Sequence, residues 1–156
     1  MTEQQTLRVP VAYTGKTLHS GIPVYMRLLP APADTGIVFR RTDLPGKPEI
    51  PATVESIVST NRNTTLGNGV AQVMTVEHLI AALRGMGVDN VIIELDAGEI
   101  PLGDGSAQTF VDMLREAGLC QQAVFPAAET DLGIQRRQSH GCSAGRATED
   151  YLYICY

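Results

Sequence analysis

A chain of 156 residues has room for one ordinary domain, or for a small domain followed by a tail, and 44% hydrophobic residues are enough for a core. Twelve Lys and Arg against 17 Asp and Glu leave a formal net charge of −5, which speaks against a phosphate-tracking surface and against nucleic acid as a partner. Residues Met1 to Gln5 lack the basic start of a secretion signal, and the chain has no apolar run long enough to span a bilayer, so a cytoplasmic location without a transmembrane segment is expected.

From Thr6 to Val73 the sequence reads as short strands broken by turns. Leu7, Val9 and Val11 alternate with polar or small residues, and Val24, Met26 and Leu28 repeat that period of two. The Pro- and Gly-containing stretch from Pro30 to Gly36 ends the second strand, and Ile37 to Arg41 starts another extended segment. A β-meander is expected, extended by Ile50 to Val58 and by Thr64 to Val73, the latter broken at Gly67-Asn68-Gly69 by a hairpin turn.

The period then changes. Val76, Leu79, Ile80 and Leu83 fall on one helical face, Thr75 is a suitable N-cap, and Gly85 or Gly87 can end the helix. Val88 to Leu95 is a β-branched run that predicts a buried strand. Gly103-Asp104-Gly105-Ser106 predicts a tight turn whose serine caps a second helix through Ala117, closed by Gly118. Phe110, Met113, Leu114 and Ala117 supply the apolar face of that helix. The expected fold class is α+β, a sheet of about five strands with two helices packed on one face.

Residues 120–156 have no sustained period, and they read as a divergent, poorly ordered tail after a domain spanning residues 6–119. Cys120, Cys142 and Cys155 are odd in number, far apart and without a Cys-x-x-Cys pair. That spacing implies neither a disulfide framework nor a zinc knuckle, and free thiols are expected.

The chemistry-bearing pair is Glu77 and His78, a carboxylate beside an imidazole in the first turn of the first helix. Adjacent helical residues diverge by about 100°, so such a pair suits one metal ligand and one base better than joint ligation. On this wheel His78 faces away from the core stripe, with the small residues Ala81, Ala82 and Gly85 beside it. A neutral imidazole is a common zinc ligand, and a neighbouring carboxylate can take a proton from water on the metal. The alternative is structural, because a helix N-terminus favours a carboxylate through its dipole and a surface histidine needs no partner. On spacing alone that alternative outweighs the site. His19, in the turn Leu18-His19-Ser20-Gly21, can bind an anionic substrate group, donate a proton or face water. His140 lies in the aperiodic tail without a helical partner.

Six blocks carry a resemblance to a known family. They are Thr17-Leu18-His19-Ser20-Gly21, the run Phe39 to Leu44, Asn63-Thr64-Thr65-Leu66-Gly67, Thr75-Val76-Glu77-His78-Leu79 with Ala81-Ala82-Leu83, Gly87-Val88-Asp89-Asn90, and Glu99-Ile100-Pro101 through Asp104-Gly105-Ser106-Ala107. In this order they resemble the zinc-dependent UDP-3-O-acyl-N-acetylglucosamine deacetylases of lipid A biosynthesis, over roughly Thr6 to Gly118. The resemblance implies one half of a two-domain sandwich with the active site at the domain junction. It implies hydrolysis of the N-acetyl group of a UDP-linked, 3-O-acylated glucosamine. It also implies zinc as cofactor, His78 as a zinc ligand, Glu77 as the general base and His19 as a substrate-side residue near the mouth of the site.

The chain departs from that pattern as well. The family completes its zinc site with a His-Lys-x-x-Asp motif in the second domain, and no His-Lys pair occurs here. One ligand does not hold a catalytic zinc, which normally takes three from the protein. The chain therefore reads as the first domain, truncated before the second, with a frameshift as one origin of the change in character after Leu119. The rival reading is a non-catalytic interaction module or an inactive fragment. In either case the helix face carrying His78, Ala81 and Ala82 is expected to lie exposed and to favour self-association or a partner.

Overall fold

The computed structural model describes residues 3–123. In chain order these form β1 (Glu3–Leu7), β2 (Val11–Lys16), β3 (Pro23–Pro30), β4 (Ile37–Arg41), β5 (Glu49–Pro51), a 3-10 turn (Val54–Ser56), β6 (Ile57–Ser59), β7 (Thr65–Gly67), β8 (Gln72–Met74), α1 (Glu77–Gly85), β9 (Val91–Leu95), α2 (Gln108–Ala117) and β10 (Leu119–Ala123). The class is α+β, with a mixed five-stranded sheet in the order β2-β3-β9-β4-β5, a three-stranded sheet β6-β7-β8 and a β1-β10 ribbon.

The simple meander is not what forms. β9 inserts between β3 and β4, antiparallel to the first and parallel to the second. Its side chains explain the position: Val91, Ile92, Ile93 and Leu95 are all buried, and only a central strand covered on both faces can bury such a run. The first expected strand is also divided. Pro10 stands between β1 and β2 and has no N–H for a ladder, and Val9 is 43% exposed.

One face of the five-stranded sheet joins the helices in a single core containing Met26, Leu28, Phe39, Ile93, Leu79, Leu83, Phe110 and Leu114. The opposite face buries Leu29, Ala31 and Ile92 in a second small cluster and carries a row of alternating charge from β5, β4, β9 and β3. Arg40 reaches Glu49 at 2.7 Å and Glu94 at 3.2 Å, and Arg27 approaches Glu94 at 3.6 Å. Strand register sets this row, since Arg40 pairs with both glutamates and Arg27 with Glu94.

The turns follow their local chemistry. At the β7-β8 hairpin, Asn68 Oδ1 accepts the N–H groups of Val70 and Ala71. α1 ends in a Schellman arrangement in which Gly87, at φ 75°, donates to Arg84 and Val88 donates to Leu83. α2 has its expected apolar face, with Phe110, Met113, Leu114 and Ala117 buried and Gly118 closing it, but Ala107 and not Ser106 occupies the cap position. Ser106 Oγ accepts the Gln108 N–H at 3.0 Å ahead of that helix.

β10 pairs with β1 and takes the ordered sheet to Ala123. Cys120 lies in this strand and is buried. His140, Cys142 and Cys155 lie outside the described residues.

Candidate functional site

The site is built around the start of α1. Thr75 has φ 63°, a left-handed conformation that is unfavourable for a β-branched residue. It is not the N-cap that the sequence predicts. Val76 occupies the cap position without a side-chain cap bond, and the Thr75 hydroxyl turns instead to Glu99 Oε1 at 3.0 Å. Thr75 N–H donates to the Thr64 carbonyl at 3.0 Å, which ties the helix start to the segment entering β7.

Glu77 is the first residue of α1. Its Oε1 accepts the backbone N–H of Thr64, whereas Oε2 is buried and has no hydrogen-bond partner. One carboxylate oxygen is therefore anchored and the other is left with its lone pairs. Buried acceptors are normally satisfied, and exceptions gather at sites of function. Asn63 braces the same loop, accepting from Thr65 Oγ1 at 3.0 Å and reaching Thr75 Oγ1 at 3.4 Å.

His78 follows on the helix and is half-buried. The expected arrangement of the helix faces needs one correction. Ala81 is exposed, but Ala82 is only 2% exposed and belongs to the core, while Ile80 is merely partly buried. α2 packs beside α1, so the buried stripe is rotated from Ile80 toward Ala82. The free strip beside His78 is correspondingly narrower than the sequence pattern implies.

His19 sits in the loop between β2 and β3. Thr17 ties this loop across its base, donating to the Ile22 carbonyl at 3.0 Å and meeting Ser20 Oγ at 2.6 Å. His19 Nδ1 lies 2.7 Å from Glu99 Oε1, and its backbone N–H donates to the same carboxylate at 3.1 Å. Glu99 is 2% exposed. Burial pushes its carboxyl up, but the hydrogen bonds from the His19 ring, the His19 N–H and the Thr75 hydroxyl, with the charge of the ring, hold it below the ordinary carboxylate value.

The structure thus links His19 to the base of the Glu77 and His78 turn through Glu99 and Thr75. Neither linking residue has a role legible in the sequence. Glu99 stands in a run marked only as part of an ordered block, and no local period connects it to a histidine 80 positions away. The arrangement offers a carboxylate oxygen free to accept a proton, an imidazole available to a metal or ligand, and a second imidazole held by one nitrogen. Among the described residues no three His, Cys, Asp or Glu side chains converge as a metal site. His78 can supply one donor, and the described residues alone do not fit a complete catalytic zinc site.

Comparison with known proteins gives the same grouping of residues a context. Residues 4–139 match the family model described as LpxC, UDP-3-O-acyl N-acetylglycosamine deacetylase, which carries the similarity beyond Gly118. The chain is 53% identical over 122 residues to a UDP-3-O-acyl-N-acetylglucosamine deacetylase of Trichormus variabilis, covering 78% of this chain and 44% of that protein. A protein of the same name from Cellvibrio japonicus is 51% identical over 122 residues, covering 78% of this chain and 40% of its own length. One from Xanthomonas oryzae pv. oryzae is 50% identical over 123 residues, covering 79% and 41%.

Proposed function

Because the chain belongs to the UDP-3-O-acyl N-acetylglycosamine deacetylase family, we propose that it supplies the Glu77 and His78 side of a zinc-dependent deacetylase acting on UDP-3-O-acyl-N-acetylglucosamine in lipid A biosynthesis. The chain spans 40–44% of the length of the curated relatives it matches, so the rest of the site belongs to residues corresponding to the remainder of those relatives. We propose a cytoplasmic location for the reaction. Among the described residues no helix is long and apolar enough to cross a membrane.

The observation that supports this reading most directly is the unpartnered Oε2 of Glu77 beside His78. Anchoring Oε1 on the Thr64 N–H fixes the carboxylate plane, and Oε2 is then the oxygen that receives a proton from an attacking water. His78 would contribute one nitrogen ligand to zinc, which would supply a lowered pKa to water at the completed site. His19, bonded to the same Glu99 oxygen as Thr75, presents its ring to the UDP-sugar substrate. The face of α1 that carries His78 and Ala81 is where the complementary domain packs.

The test measures bound zinc and acetate release from UDP-3-O-acyl-N-acetylglucosamine, with the 156-residue chain alone and mixed with the remaining portion of the Trichormus variabilis relative. Zinc and turnover are expected on mixing. Glu77→Gln should then retain zinc and lose turnover, whereas His78→Ala should lose the metal. Full turnover with Glu77→Gln would overturn the role of Glu77. A chain that binds the complementary portion but yields neither zinc nor turnover would be a non-catalytic module.

A further inference from the structure

We propose that Glu99 is a positioning residue that sets two parts of the candidate site from one buried carboxylate: it holds the His19 ring through Nδ1, and it holds Thr75 in the left-handed conformation from which α1 starts. The functional meaning of this inference rests on the deacetylase reading. Its physical content does not.

The argument begins with burial. A carboxylate that is 2% exposed requires charged or hydrogen-bonded compensation. Among the described residues no Arg or Lys forms a salt bridge with Glu99; its ion-pair partner is His19. Three donors converge on it instead, the His19 ring, the His19 N–H and the Thr75 hydroxyl.

The backbone around Glu99 is held without the side chain. Met74 N–H donates to Gly98 at 2.9 Å, Ile100 N–H donates to Met74 at 3.3 Å, and Met74 and Glu99 form a parallel bridge. A carboxylate is therefore not needed to keep this segment in place. What the carboxylate adds is orientation of a ring on one side and of a strained residue on the other.

The hydrogen bonding has a chemical consequence. A carboxylate only accepts, so Nδ1 must carry the proton whenever it bonds to Glu99. Neutral His19 is then the Nδ1–H tautomer, and Nε2 is the lone-pair nitrogen offered to a substrate hydroxyl or water. When the ring is protonated, the same Nε2 becomes a donor suited to a phosphate oxygen. On the other side, Thr75 at φ 63° occupies a conformation that persists only where its surroundings enforce it. The bond to Glu99 is one enforcing contact. Two residues later the chain places Glu77, so the direction of that carboxylate depends on the same turn.

The tautomer is read directly by ring ¹⁵N NMR on the full 156-residue chain, with a chelator present and at a pH where His19 is neutral. A predominance of the Nδ1–H form of at least about tenfold is expected. Glu99→Gln should reduce that preference at least about tenfold and shift the amide signals of Thr75 to His78. His19→Ala should leave those four amide signals near their parent positions, because Thr75 keeps its bond to Glu99. A parent ring that is mainly Nε2–H, or an even mixture, overturns the proposal. So does a folded Glu99→Gln variant in which neither the ring nor the four amides move. Should Glu99→Gln fail to fold, the parent tautomer still decides. The measurement needs neither zinc nor turnover, so it can fail while the deacetylase reading stands, and the reverse.

Discussion

The Thr75 hydroxyl donates to Glu99 Oε1 at 3.0 Å across a buried contact between residues 24 positions apart, and Thr75 does so with φ 63°. A β-branched residue in that conformation is held against its own preference. The contact lies two residues before Glu77 and on the same carboxylate oxygen that meets the His19 ring.

Thr75→Val retains the branched shape and removes the donor, leaving a buried carboxylate with one bond fewer. A loss of about 1–3 kcal/mol is expected. Thr75→Gly removes the same donor but also relieves the left-handed conformation, which costs a non-glycine residue about 1–2 kcal/mol. Urea denaturation should therefore rank parent above Thr75→Gly above Thr75→Val. The opposite order for the two variants would show that backbone strain at Thr75 has no energetic weight.

Acid should destabilise the chain through Glu99. Its folded pKa lies below the ordinary value of 4.5, so the unfolded state binds more protons as pH falls through that window. The stabilisation is fully present above the ordinary value and is lost as pH drops through the folded one. Glu99→Gln should flatten the fall in urea midpoint between about pH 6 and about pH 3. Asp43, lowered chiefly by its hydrogen bond from Arg41, leaves part of the slope in place. An unchanged slope in Glu99→Gln would contradict the assignment.

The two glycines at the end of α1 should respond in opposite directions. Gly87 has φ 75°, so Gly87→Ala should cost about 1–2 kcal/mol. Gly85 is in the last helical turn with no positive φ, and a Cβ there meets nothing within 4 Å. Gly85→Ala should stabilise by about 0.5–1 kcal/mol. Thermal denaturation of the pair distinguishes a conformational requirement from a steric one.

Along the outer charge row, position decides weight. Glu49 has a side chain that is 51% exposed, and Glu49→Gln should change stability by no more than about 1 kcal/mol. Arg40 and Glu94 are 17% and 16% exposed, so Arg40→Met leaves Glu94 with Arg27 at 3.6 Å as its remaining ion pair. A loss of about 1–3 kcal/mol is expected. Equal effects of the two substitutions in denaturant titrations would refute this ranking.

Glu77→Gln tests the site without disturbing the fold. The amide carbonyl can still accept the Thr64 N–H, so stability should stay within about 0.5 kcal/mol of the parent. Turnover after mixing with the complementary portion should fall about 10²–10⁴-fold, the usual contribution of a positioned proton acceptor. A large loss of stability would instead make Glu77 a structural residue.

Local patterns determined much of this molecule. Period two marked β3, the turn before Ile37 marked the start of β4, a period near 3.6 marked the α2 face from Phe110 to Ala117, and Gly85 or Gly87 and Gly118 marked the helix ends. The ordered blocks around Glu77 and His78 also carried the family. These signals survive in one dimension because each depends on residues only a few positions apart.

Tertiary structure decided the rest. The placement of β9 between β3 and β4, the rotation of α1 that buries Ala82, and the joining of His19 to Thr75 through Glu99 all rest on distant partners. An apolar period states that a face is buried without stating against what, and a polar side chain has no period at all. The hydrogen bonds of Glu99 reach back 80 and 24 residues, and only the folded chain brings those donors to one carboxylate.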